Sequence, residues 1–72
     1  MKQQTEIEKI ATRRIAKAII EQADLEGWRK LKDESEVAAK VSQAVARHSS
    51  QHGIHPLFIK SAMMRIQRNM EQ

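Results

Sequence analysis

Three histidines offer the most chemistry in this chain. His48, His52 and His55 form an H-x3-H pair followed by a third imidazole just beyond Gly53. Imidazoles four residues apart share a helix face, and three together could hold a transition metal with one position open. No acid or cysteine stands nearby in sequence to complete the ligand shell or orient the rings. The reading adopted is therefore a polar helix end, where charge on His48 and His52 would suit the helix dipole, with no metal and no cofactor. Ser49, Ser50 and Ser61 lie close to these histidines, but no nucleophile elbow and no glycine-rich phosphate loop surrounds them. The carboxylates fall at helix caps and on polar helix faces, whereas acid-base catalysis needs them in a dry pocket. The chain has no cysteine, which removes disulfides, thiolate nucleophiles and Cys-based zinc sites. The pattern is that of a binding protein and not of an enzyme.

Charge says what it could bind. The formal net charge is +4, unevenly spread over 72 residues. Residues 1–36 carry eight basic and eight acidic side chains, whereas from Val37 to Met70 there are Lys40, Arg47, Lys60, Arg65 and Arg68 and no acid. A basic segment without acids attracts phosphate backbones or acidic protein surfaces.

The elements that must position these residues are helices. Only Gly27, Gly53 and Pro56 interrupt a chain filled with Ala, Ile, Lys, Arg, Glu and Gln. A T-x-x-E capping box at Thr5 and Glu8 starts a first helix over about 5–26, closed by Gly27. Trp28 and Leu31 can form one further turn, with Trp28 anchoring the core. Asp33 or Ser35 caps a second helix over about 35–52, closed by Gly53. Its apolar stripe is Val37, Val41, Ala44, Val45 and His48. Pro56 opens a third helix over about 56–71, with Ile59, Ala62, Met63, Ile66 and Met70 inward. The fold class is all-α, a single three-helix domain spanning 1–72.

On the first helix Ile7, Ile10, Ala11, Ile15, Ala18, Gln22 and Leu25 share a face, and Ala16, Ile19, Ile20 and Ala23 widen it. An arc this broad suits either a helix central to its bundle or one buried against a second subunit. The second is taken here, giving a homodimer formed through this face, with Ile15, Ile19 and Ile20 at the contact.

The short turn at Gly53 makes helices two and three a helix-turn-helix-like hairpin. Ile54, Ile59 and Ala62 would lock the pair. His55, Lys60, Ser61 and Arg65 would then read double-stranded DNA, while Lys40, Arg47 and Arg68 approach phosphates. The leading function is thus a small DNA-binding regulator in the cytoplasm. His48, Ser49 and His52 depart from this pattern, since small or apolar residues are expected there. The alternative is a small helical adaptor or inhibitor that binds a protein partner through apolar helix faces. It accounts better for the surplus Ile19, Ile20, Leu57, Phe58 and Met64. Attachment to a membrane surface fits poorly, because acids and bases are mixed along the first helix. No apolar run is long enough for a membrane span.

Overall fold

The structure, a computed structural model, describes residues 4–70. It is all-helical, with three α-helices and no strand among the described residues. The helices are α1 (Glu6–Glu26), α2 (Glu34–His52) and α3 (Pro56–Met70), with a single 3-10 turn, Trp28–Lys30, after α1. The side chain of Met70 and residue 71, both assigned from the sequence to the third helix, lie outside the described residues.

Local chemistry sets each boundary. Thr5 has extended backbone and its hydroxyl accepts the Glu8 N–H at 3.1 Å, satisfying one of the free donors at the start of α1. The same hydroxyl donates to the Glu8 carboxylate at 3.2 Å. At the other end Gly27 takes φ +71°, and its N–H turns back to the carbonyls of Ala23 and Asp24. That left-handed setting costs an ordinary residue about 1–2 kcal/mol and glycine almost nothing. The 3-10 turn follows at once and carries Trp28 into the core. Of the two candidate caps for α2, Asp33 takes the role, its carboxylate accepting the Ser35 N–H at 2.9 Å. Gly53 repeats the left-handed closure at φ +65°. There the Ser49 hydroxyl also donates to the Ile54 carbonyl and holds the turn into α3.

α1 lies chiefly against α3, and α2 and the 3-10 turn cover less of it. The core is Ile15, Ala16, Ile19 and Ile20 from α1, Trp28 from the 3-10 turn, Ala44 and Val45 from α2, and Ile54, Ile59 and Met63 at and beyond the turn at Gly53. Each large aliphatic side chain buried here contributes about 1.5–3 kcal/mol. Thr12 joins this face although polar, being 3% exposed. Its hydroxyl donates to the Glu8 carbonyl at 2.7 Å and accepts from the Gln4 amide at 2.8 Å, so burial leaves it satisfied. The Trp28 indole N–H, by contrast, is buried without an acceptor among the described residues.

This packing corrects the reading of α1. Ile15, Ile19 and Ile20, expected at a contact between subunits, are enclosed by the chain's own α2, α3 and Trp28. The broad apolar arc divides into two. One stripe, centred on Ala16 and Ile19, is buried, while Ile7, Ile10 and Leu25 stand exposed on the far side of the helix. α1 is the central helix of its bundle.

Candidate functional site

The DNA-facing set expected from the sequence separates into several surfaces. On α3, Lys60, Ser61, Arg65 and Arg68 are all exposed. At about 100° per residue Lys60 and Arg65 point some 140° apart, with Arg68 between them. Ser61 and Arg65 face α1 and line a groove with it, and Lys60 and Arg68 do not. Lys40, half-buried, and Arg47, exposed, sit one above the other on a flank of α2, also away from that groove. His55 has a different task. Its Nδ1 accepts the Leu57 N–H at 3.1 Å, so the imidazole caps the start of α3 as an asparagine would. Its ring meets Phe58 edge-on at 6.2 Å.

The residues given as a protein interface also divide. Leu57 and Met64 are 57% and 62% exposed, two turns apart on the outer face of α3. Phe58 packs partly against the core and forms the floor of the groove. The histidines do not gather either. His48 and His52 stack nearly parallel, ring centres 6.1 Å apart, while His55 is turned to its own helix. Among the described residues no three His, Cys, Asp or Glu side chains come together as a metal's ligands would.

What does come together is a basic groove whose α1 wall sequence reasoning missed. It runs between the N-terminal half of α1 and α3, encloses about 880 Å³ and is open to solvent. Lys9, Arg13 and Arg14 come from α1 and Arg65 from α3. Glu6 is the one acid on its walls, and it pairs loosely with Lys9 at 3.9 Å, both side chains well exposed. Such a surface pair is worth little, so the field in the groove remains positive. Ser61, Asn69 and Gln4 add neutral hydrogen-bonding groups, and Phe58, Ala62 and Ile66 make the floor apolar.

No family model, curated protein or solved structure matches this chain.

The groove is therefore read from its own chemistry. Guanidinium forks and an ammonium spaced along two helices suit a ligand with several oxyanions in a row, because each fork donates to two oxygens at once. Apart from Glu6 and Glu8 in its first turn, the acids of α1 lie elsewhere. From Lys9 to Lys17 the helix carries four bases and no acid, and from Glu21 to Glu26 three acids and no base. Summing charge over residues 1–36 cancels these two blocks, whereas summing over single turns would have found them. A second surface, shallow and largely apolar, enclosing about 300 Å³, lies on the other side of α1 between Ile7, Ile10, Ala11 and His52.

Proposed function

We propose that the protein is a small cytoplasmic DNA-binding regulator whose α1/α3 groove holds the phosphate backbone beside the outer face of α3. The observation that carries the reading is the groove itself, where Lys9, Arg13, Arg14 and Arg65 face a single acid. Phosphate contacts supply most of the affinity of such proteins and position them, while base edges supply specificity. α3 is acid-free over its whole length and offers Ser61 at the groove and Lys60 and Arg68 beyond it. A single helix with its side chains fits the major groove of B-form DNA. In this reading the hairpin of α2 and α3 works as a helix-turn-helix variant, with Ile54 and Ile59 buried as its lock.

Fluorescence anisotropy with random-sequence duplex DNA at two salt concentrations tests it. The expected result is micromolar binding that weakens steeply with salt. Arg13→Ala and Arg65→Ala should each weaken binding and lower the salt slope by about 0.9 per lost contact, with unchanged circular dichroism. Absence of binding at low salt would overturn the DNA reading. That result would favour a protein partner instead, for which exposed Leu57 and Met64 already speak, since apolar side chains on an outer helix face suit adaptable protein contacts.

A further inference from the structure

The outer face of α1 carries a stripe with the spacing of a helix-pairing seam. Ile7, Ala11, Arg14, Ala18, Glu21 and Leu25 follow one another at alternating spacings of four and three, the seam of a helix that pairs with another. The stripe runs for about 27 Å. Nothing among the described residues covers its ends, where Ile7 is 81% and Leu25 89% exposed. Large apolar side chains stand at the two ends, and between them the alanines alternate with Arg14 and Glu21; Ala18 is exposed, whereas Ala11 also packs against the chain's own core.

Charge decides what that second helix is. Within the stripe, Arg14 and Glu21 are complementary to each other when one helix is reversed, and outside it Asp24 and Glu26 then come opposite Glu8 and Glu6. The acids are also badly placed for an isolated α1. Asp24 and Glu26 occupy its last turn, where the helix dipole disfavours negative charge and no base stands. Arg29 approaches Asp24 at 3.4 Å and offsets part of this, leaving Glu21 and Glu26 without an ion pair among the described residues.

We infer that the outer stripe of α1 binds a second copy of this chain, the two α1 helices running antiparallel. Ile7 then meets the partner's Leu25 at each end, Ala18 lies opposite the partner's Arg14, and that Arg14 reaches the first copy's Glu21, one turn away on the facing helix. A parallel arrangement sets Arg14 against Arg14 and Glu21 against Glu21, and like charges at such positions are repulsive. The inference is independent of DNA binding: the α3-facing Lys9, Arg13 and Arg65 remain free, and only Arg14, on the lip shared by both surfaces, is engaged.

Sedimentation equilibrium over a dilution series reads it directly. The protein should be dimeric and dissociate on dilution. Leu25→Glu, at a fully accessible position, should leave helicity intact and give a monomer. Arg14→Glu alone and Glu21→Arg alone should each weaken association by about tenfold or more, and an equimolar mixture of the two variants should recover it, because every cross-pair is then attractive. A protein that is monomeric at every concentration overturns the inference, as does a dimer indifferent to Leu25→Glu. A mixture that fails to recover association overturns the antiparallel pairing.

Discussion

The two apolar stripes of α1 have nearly the same composition and opposite fates. Ile15, Ala16, Ile19 and Ile20 disappear beneath α2, α3 and Trp28, while Ile7, Ile10 and Leu25 remain at the surface of the same helix. Hydrophobicity alone does not separate them. What separates them is their polar members: the buried stripe includes Thr12, whose hydroxyl is satisfied without water, and the outer one Arg14 and Glu21, whose charges need water or each other. A helix with two such faces supports a core on one side and has capacity for recognition on the other.

Substitutions can sharpen that contrast. Ile19→Ala should have the largest effect, about 2–5 kcal/mol, because the side chain is 0% exposed and its removal leaves a cavity between three helices. In a domain this small that loss is a large part of the total stability, and urea denaturation should show the midpoint fall sharply. Val45→Ala removes part of the cover that α2 places over the same stripe, for about 2 kcal/mol in the same assay. Leu25→Ala, measured below the concentration at which the chain self-associates, should change stability by less than about 0.5 kcal/mol. A large loss from Leu25→Ala in a dilute sample would mean that the outer stripe is part of the fold after all.

How much of this was legible in the sequence depended on range. The caps at Thr5, Gly27 and Gly53 and the opening at Pro56 are decided by a few neighbouring atoms, and helix limits read from them agree with the structure to within a residue among the described positions. Trp28 was legible too, since a lone large ring beside a helix-closing glycine has little to do except enter the core. The inward arc of α1 was not, because its orientation is set by where α2 and α3 dock and not by its own periodicity. The groove was hidden for a similar reason: Lys9 and Arg13 become neighbours of Arg65 only after α3 lies against α1. The capping role of His55 was not legible either, because a histidine before a proline is rarely thought of as a cap, yet its Nδ1 accepts the N–H of the second residue of α3.

Both corners of the molecule are achiral. Gly27 and Gly53 hold φ at +71° and +65°, and a β-carbon added at either would meet nothing within 4 Å. Space is open there, and handedness alone bars an ordinary side chain. A mirror-image residue has the opposite bar. D-alanine takes positive φ as its natural setting, and placed at Gly27 or Gly53 by chemical synthesis it should narrow the unfolded ensemble and raise stability by about 0.4–1 kcal/mol in thermal melts, whereas L-alanine at the same atom positions should lower it.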